Sequence, residues 1–306
     1  MKAVICTKYG SPEVLKLQEV EKPLPKGNEI LVKVISTCVN SGDVRVRGLK
    51  VHGFMKIMMR FVLGFAKPRK PILDNVFSGI VENMGNHVSQ FKVGDKVYGM
   101  TGFKFGTYAE YLTINEKGTV TQMPGNATFD EAVSLIFGGQ TAIHFFDKMK
   151  IAEKPHATIL IVGATGSVGT SAVQIARYYN ANITAVCSSN GRSLIENLGV
   201  TQIVLYDKED FLNLPGQFDF IFDAVGKTSK TQCKKLLKKG GVYKTVGGLE
   251  VAAESKKHLE MLKMLFEKGF IKAVIDKEYL LDEIVEAHTY VDTERKKGNV
   301  VIKIAK

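Results

Sequence analysis

A glycine-rich run follows an apolar stretch near the middle of the chain. Residues 158–162 read Thr-Ile-Leu-Ile-Val, and the spacing Ala164-x-Gly166-x-x-Gly169 comes directly after them. In this pattern a small first residue makes a tight turn, the second position lets backbone approach a pyrophosphate, and the third lets a helix pack on the strand. The N–H groups at the start of that helix then bind the anion. The run therefore predicts a dinucleotide phosphate loop made of Ala164, Thr165, Gly166, Ser167, Val168 and Gly169.

The next predicted strand indicates which dinucleotide would bind. An NAD site has Asp or Glu about 20 residues beyond the loop, where the carboxylate accepts from the ribose 2′-hydroxyl. No acidic residue lies between Gly169 and Glu196, and the run Cys187-Ser-Ser-Asn-Gly-Arg192 stands there instead. Small hydroxyls and a guanidinium suit a 2′-phosphate, so the sequence favours NADPH over NADH.

The elements that position these residues differ between two parts of the chain. Up to residue 123, short alternating runs lie between Pro and Gly clusters, a pattern typical of a β-rich domain. Beyond it, predicted strands at 158–162, 183–187, 203–206, 218–222 and 242–246 alternate with helical segments, which predicts a doubly wound parallel sheet. Because the last strand, 300–304, reads like the first part, we expect an α/β protein with one domain at 1–123 and 253–306 and another at 124–252.

Length and composition exclude several classes of protein. A chain of 306 residues with 45% hydrophobic and 24% charged residues suits two soluble globular domains. It has no apolar run long enough to span a membrane and no secretory signal, and its four Cys form no CxxC pair. These features predict a cytoplasmic protein without a zinc ribbon or disulfides. The net charge of +11 is spread along the chain, which favours a solvated surface over nucleic-acid binding.

Residues 52–66 form a separate feature with apolar residues at nearly every helical position. Lys56 and Arg60 stand four apart on one narrow face. Such a helix could lie on a membrane surface. The breadth of the apolar face favours a second interpretation, a helix or lid buried between the domains.

Many ordered motifs resemble those of one family. They include Val39-Asn-Ser-Gly-Asp43, Phe91-Lys-Val-Gly-Asp-Lys-Val-Tyr-Gly99, the glycine run, Asp223-Ala-Val-Gly226 and Gly298-Asn-Val-Val-Ile-Lys303. Over nearly its whole length the chain resembles the medium-chain dehydrogenase/reductase superfamily, specifically its zinc-free quinone oxidoreductase branch. The resemblance implies a GroES-like β-rich catalytic domain and a Rossmann NADP-binding domain, with the active site in the cleft between them.

The resemblance also implies roles for individual residues. Asn40 and Thr141 would lie near the nicotinamide, Val225 and Gly226 beside its ribose, and Gly247 near its ring. The 2′-phosphate and adenine would contact Ser188, Arg192 and Tyr206. The catalytic zinc of the superfamily's alcohol dehydrogenases lacks its ligands, because Asn40 and Asn75 stand in place of the first Cys and the His, and no Cys follows near Phe137. No metal is expected.

Three positions depart from the family pattern. Asp74-Asn-Val76 replaces a Gly-x-Asp turn, and Arg45 stands where some quinone reductases have Tyr. Only about ten residues separate Gly248 from the next helical segment, where the family has another strand and helix. The sequence leaves a homodimer open. The short connection after Gly248 would change the sheet edge at which two copies could pair.

The simplest chemistry for such a site is hydride transfer from NADPH to an electrophilic carbon of a small molecule. Quinones and α,β-unsaturated carbonyls fit, because solvent can supply the proton and the protein need only orient the reactants. Asp43 is the nearest candidate for a general acid. Two alternatives stay open at this point: an enoyl-thioester reductase, and a cofactor- or RNA-binding family member with little catalysis.

Overall fold

The structure is a computed structural model that describes residues 1–49 and 54–304. The strands are β1 (Lys2–Cys6), β2 (Leu15–Glu19), β3 (Glu29–Cys38), β4 (Val76–Met84), β5 (Lys96–Met100), β6 (Tyr111–Asn115), β7 (Thr119–Gln122), β8 (Thr158–Val162), β9 (Asn182–Cys187), β10 (Gln202–Leu205), β11 (Phe218–Asp223), β12 (Leu237–Thr245), β13 (Ile275–Leu280) and β14 (Asn299–Lys303). The α-helices are α1 (Ser41–Gly48), α2 (Phe54–Leu63), α3 (Phe129–Met149), α4 (Ser167–Tyr178), α5 (Arg192–Asn197), α6 (Lys256–Glu267) and α7 (Ile284–Asp292).

The chain divides into two compact units, Met1–Ile136 with Ile275–Lys306, and Phe137–Val274. The C-terminal segment returns to the first unit because β14 pairs with β3. The compact units change over within α3 and just before β13, later than residues 123/124 and 252/253. Those sequence-based limits of the domains stay a prediction.

The first unit is β-rich. Its main sheet has the order β13-β14-β3-β4-β5-β7, with β6 also paired to β3, and β1 and β2 form a separate antiparallel pair. Long strands such as β3 and β4 are mostly buried, and their apolar side chains form a core with those of β5 to β7. This arrangement confirms the predicted GroES-like β domain.

The second unit is a Rossmann-type sheet. Its described strands have the order β10-β9-β8-β11-β12 and all pair in parallel, which confirms the fold class. The central strands β8 and β11 are almost wholly buried, as their continuous apolar sequences require. From β8 the chain moves through β9 to β10, and from β11 it moves the other way to β12, so the topological switch point lies between the carboxyl ends of β8 and β11.

The connection after β12 contains neither helix nor strand over residues 246–255. Two side chains of α3 bind it: Gln140 accepts from the N–H of Ser255 at 3.1 Å, and His144 Nδ1 accepts from the N–H of Ala253 at 3.2 Å. Because His144 accepts at Nδ1, its Nε2 carries the proton that faces Glu250 at 3.3 Å. The short connection is thus ordered on α3, and β12 stays at the edge of the sheet.

Helix α2 covers most of the apolar–basic segment, and part of that segment, residues 52–53, lies outside the described residues. The interpretation of a buried helix is wrong for the side chains that are described, because Ile57, Phe61, Val62 and Phe65 are each more than half exposed. No helix in the described residues is both long and apolar enough to cross a membrane.

Candidate dinucleotide-binding site

The turn after β8 is made by Gly163, which has a φ of 75°. The sequence interpretation assigned this turn to Ala164, which lies within it: the N–H of Gly166 donates to the carbonyl of Gly163 at 3.3 Å, and Ala164 between them is fully buried and has no positive φ. A Cβ on Gly163 would lie 2.4 Å from Val225 Cγ1. The glycine is therefore required both by the left-handed backbone and by the loop that packs against it.

The other two glycines of the run have different surroundings. A Cβ on Gly169 would lie 2.1 Å from the carbonyl oxygen of Gly163, so α4 packs directly on the end of β8. A Cβ on Gly166 would meet nothing closer than 3.8 Å. The protein thus leaves open space at Gly166, the N-cap of α4, where the first-turn N–H groups of a helix need an acceptor.

Three further loops lie beside this turn, those after β9, β11 and β12. A Cβ on Gly191, in the loop after β9, would lie 2.5 Å from Thr165 Cγ2. The loop after β11 reaches Gly163 through Val225 and also contacts the loop after β12, since a Cβ on Gly226 would lie 2.7 Å from the Cα of Gly247. Predicted site residues from separate parts of the sequence are thus brought to the carboxyl ends of neighbouring parallel strands.

Asp223 orders the loop after β11, a role that the sequence analysis did not identify. Its buried carboxylate accepts from the N–H groups of Val225 at 3.1 Å, Gly226 at 2.8 Å and Thr228 at 2.8 Å. The hydroxyls of Thr228 and Thr245 also donate to it. A buried acid at the end of a strand, followed by Gly and Thr, was the available signal. Its carboxylate replaces water for three backbone donors and so holds the loop in one conformation.

The loop after β9 contains the residues predicted to bind the 2′-phosphate. Arg192 is exposed at the start of α5 and pairs with Glu196 at 2.8 Å. Tyr206 is also exposed, and its N–H donates to the carbonyl of Cys187 at 3.0 Å, next to Ser188. These groups are therefore accessible at one edge of the sheet.

An acid that the sequence analysis did not consider also reaches this loop. Asp207, which follows β10, accepts from the N–H of Ser189 at 2.8 Å. Hydrogen bonds from Ser189 lower the pKa of Asp207. Spacing from the glycine run points only to residues before Glu196. Pairing of β10 with β9 brings Asp207 to the same loop from the following strand.

Helix α3 packs on the same end of α4. A Cβ on Gly138 would lie 2.2 Å from the carbonyl oxygen of Ser167. Thr141 lies three residues further along and so has a similar direction. Its hydroxyl donates to the Phe137 carbonyl at 2.7 Å and leaves its lone pairs available.

Asn40 and Asp43 lie in the first unit, at the start of α1. The N–H of Asn40 donates to Asp43 at 2.7 Å, and its side-chain amide donates to Asp74 at 3.1 Å. Asp74 has a φ of 56°, the left-handed conformation that the family's glycine at this position adopts readily. The hydroxyls of Thr37 and Thr107 also donate to the Asp74 carboxylate, which is fully buried.

The two carboxyl groups make this region unusual in charge. Burial raises the pKa of Asp43 well above its usual value of 3.8, and the nearby Asp74 raises it further. Burial also raises the pKa of Asp74, although the hydroxyl donors oppose that change. Asp43, which has fewer donors, is therefore the member that holds a proton to higher pH.

Comparison with known proteins accounts for this combination of units. Residues 26–125 match the alcohol dehydrogenase GroES-like domain, and residues 167–275 and 250–302 match two families described as zinc-binding dehydrogenase. The 2-methylene-furan-3-one reductase of Solanum lycopersicum is 32% identical, over 99% of this chain and 79% of that protein. The chain belongs to the medium-chain dehydrogenase/reductase superfamily.

Other members of the superfamily match along most of this chain. The quinone oxidoreductase of Sus scrofa is 27% identical over 94% of this chain and 93% of its own length. The structure of the quinone oxidoreductase from Coxiella burnetii superposes with a TM-score of 0.89 at 27% identity, covering 100% of this chain and 99% of that one. The chain is thus an oxidoreductase of this superfamily.

The superfamily's catalytic zinc does not fit the residues present. Asn40 and Asn75 occupy the places of a Cys and a His, and neutral amides are poor zinc ligands. Asn40 is moreover held by hydrogen bonds to two carboxyl groups. Within residues 1–49 and 54–304, no three His, Cys, Asp or Glu side chains lie together as a metal site.

Proposed function

We propose that this protein is a zinc-independent reductase that transfers hydride from NADPH to a quinone or an α,β-unsaturated carbonyl compound. One observation carries the proposal: four loops at the carboxyl ends of parallel strands meet around the open N-terminus of α4. That arrangement suits a dinucleotide, whose pyrophosphate needs N–H donors and close backbone approach. The match to reductases named for enones and quinones supports the substrate class.

The preference for NADPH over NADH rests on the loop after β9. Ser188, Arg192 and Tyr206 offer hydroxyls and a guanidinium to a 2′-phosphate. Two carboxylates lie in this loop region, and both have partners: Asp207 accepts from the N–H of Ser189, and Glu196 pairs with Arg192 itself. An alkenal/one oxidoreductase of Arabidopsis thaliana that is 28% identical is named as NADPH-dependent.

The remaining dinucleotide contacts follow from the same loops. The pyrophosphate would be held by the glycine run, that is by Ala164, Thr165, Gly166, Ser167, Val168 and Gly169. The nicotinamide ribose and ring would be contacted by Val225, Gly226 and Gly247. Asp223 would act through Val225 and Gly226, whose N–H groups it fixes. Thr141 would offer its hydroxyl to the nicotinamide end.

NADPH, when bound, supplies the hydride, and the protein orients the reactants. Asn40 would contact the nicotinamide end through its amide, whose orientation is set by donation to Asp74. Asp43 would retain its proton to a higher pH than an ordinary aspartate does, because burial and Asp74 both oppose its ionisation. This makes Asp43 the candidate reservoir for the proton that completes reduction of an enone.

We place the protein in the cytoplasm, with a small electrophile as its substrate and nucleic acid not expected as a partner. All four cysteines are buried and free, as a reducing compartment favours.

A homodimer would have to form without a further strand beyond β12, because residues 246–255 contain none.

To test this proposal, consumption of NADPH is measured with a panel of quinones, enones and enoyl thioesters. The loss of the near-ultraviolet absorbance of NADPH reports its oxidation. We expect turnover with quinones or enones, faster with NADPH than with NADH and unchanged by a chelator. Turnover with enoyl thioesters alone would support the alternative reductase. Absence of turnover with all three classes, together with salt-sensitive RNA binding, would contradict the proposal.

A further inference from the structure

Helix α2 presents apolar side chains to solvent. Ile57, Phe61 and Val62 are 53%, 58% and 61% exposed, and Phe65, just beyond the helix, is 56% exposed. Ile57 and Phe61 lie four residues apart on the helix and so share one face. The rings of Phe61 and Phe65 contact each other edge to face with centroids 5.0 Å apart. We call these four side chains the α2 surface.

The charged side chains of the segment that carries the α2 surface have a single sign. Between Asp43 and Asp74 the sequence contains eight Lys and Arg residues and no Asp or Glu. Of the basic residues nearest the α2 surface, Arg60, Lys67, Arg69 and Lys70 are exposed. Arg47, by contrast, is buried and pairs with Asp292 at 2.5 Å. The α2 surface therefore has cations along its border and no carboxylate within its own segment.

The turn after α2 brings the basic residues back to the helix. Gly64 has a φ of 124°, and the N–H of Arg69 donates to the carbonyl of Leu63 at 2.6 Å. Tyr9 fixes the same turn through a hydrogen bond of 2.8 Å to the Gly64 carbonyl. Burial raises the pKa of Tyr9, and the charges of Arg60 and Arg69 both oppose that rise. Arg60 and Arg69 thus both lie near Tyr9, at the turn that follows the helix.

We propose that the α2 surface docks on the surface of a lipid bilayer that contains anionic phospholipids. An exposed helix with an apolar face and basic borders can bury its aromatic and aliphatic side chains at the headgroup boundary. The long basic side chains can then reach the lipid phosphates. Because the segment between Asp43 and Asp74 has no carboxylate, it contributes no repulsion from the anionic surface. A protein partner with an apolar groove would not by itself require a border of one charge.

Vesicle flotation of the full-length protein tests this docking. We expect binding to vesicles of phosphatidylcholine mixed with phosphatidylserine, and little binding to vesicles of phosphatidylcholine alone. Phe61→Ser with Phe65→Ser should abolish binding. The charge reversal Lys67→Glu, Arg69→Glu and Lys70→Glu should weaken it by at least about tenfold, since each cation near an anionic surface contributes.

Matched variants separate this surface from general charge and hydrophobicity. Phe103→Ser removes another exposed aromatic residue from the first unit. Lys230→Glu, Lys234→Glu and Lys235→Glu make the same change in net charge within the second unit. Both controls should bind vesicles as the unchanged protein does, with circular dichroism verifying that every variant is folded.

Two results would overturn the proposal. One is a lack of specificity, seen either as equal binding to neutral and anionic vesicles or as equal loss of binding in the control variants. The other is failure to bind any vesicle while Phe61→Ser with Phe65→Ser converts an assembled protein into monomers in sedimentation velocity. That second result would assign the α2 surface to contact between copies of this chain.

Discussion

At the scale of a single residue, we expect Arg192 to determine the choice between the two dinucleotides. Arg192→Ala should weaken NADPH binding by about tenfold or more and leave NADH binding unchanged, because a charge-assisted contact to the 2′-phosphate is lost. Fluorescence titration with both dinucleotides measures this. As a control, Glu196→Gln removes the ion-pair partner of Arg192 and should leave NADPH binding equal or tighter. Equal losses for NADPH and NADH in Arg192→Ala would contradict the assignment.

Asp43 gives a prediction about pH at the same scale. Its folded pKa lies above the usual 3.8, so the folded protein binds this proton more tightly than the unfolded chain. The contribution of Asp43 to stability is therefore fully present below that usual value and is lost as pH rises through the folded pKa. Asp43→Asn should gain free energy of unfolding relative to the unchanged protein as pH rises from about 4 towards neutrality. Urea unfolding at several pH values measures this difference, and a difference independent of pH would contradict the raised pKa.

Individual residues also mark the limit of what sequence could predict. The glycine run and the strand that precedes it were recognisable, because spacing along the chain alone defines them. The turn was placed at Ala164, and only the folded backbone shows that its positive φ belongs to Gly163, one residue earlier. Asp207 was missed because its partner Ser189 lies in a loop that pairing of β10 with β9 brings close. Asp223 was missed although its backbone partners are local, because only the folded loop turns their N–H groups towards the carboxylate.

At the scale of an element, packing of α4 on β8 depends on Gly169. Gly169→Ala would put a Cβ 2.1 Å from the Gly163 carbonyl oxygen. Relief of that overlap should cost roughly 1–3 kcal/mol of the free energy of unfolding. Gly166→Ala is the matched control, because its Cβ would meet nothing closer than 3.8 Å, and it should change stability by less than about 1 kcal/mol. Urea unfolding of both variants decides this, and equal effects would contradict the distinct roles of the two glycines.

The elements were predictable to different degrees. The parallel sheet followed from apolar strands that alternate with helical segments, and all five predicted strands of that sheet are present. For α2 the helix was expected but its burial was wrong. Breadth of an apolar face indicates that a helix needs cover, yet the chain itself does not bury Ile57, Phe61, Val62 or Phe65. Such cover can come from outside the molecule, which a single sequence cannot reveal.

At the scale of the whole molecule, both units have the architecture of the superfamily, and the Rossmann sheet of the second unit is shortened. Residues 246–255 bypass the additional strand and helix of the family, and Gln140 and His144 hold that bypass on α3. Lysines and a Gly-Gly pair lie along β12, features that blunt an edge strand against pairing with another chain. The shortening thus changes the edge of the sheet and leaves the loops around α4 intact.

The central claim is that a dinucleotide binds at the turn between β8 and α4. The most direct measurement is the thermal unfolding of the unchanged protein and of Gly166→Val, each with and without NADPH. A ligand bound only to the native state raises the unfolding temperature, so the unchanged protein should gain stability with NADPH. Gly166→Val should unfold at a similar temperature without ligand, because the space around Gly166 is open, and should gain nothing from NADPH.

Gly216→Val is the matched control for this measurement, since a Cβ on Gly216 meets nothing within 4 Å. That variant should keep the full NADPH-dependent rise in unfolding temperature. If Gly166→Val also keeps the full rise, NADPH does not bind at this turn, and the account of the site is wrong.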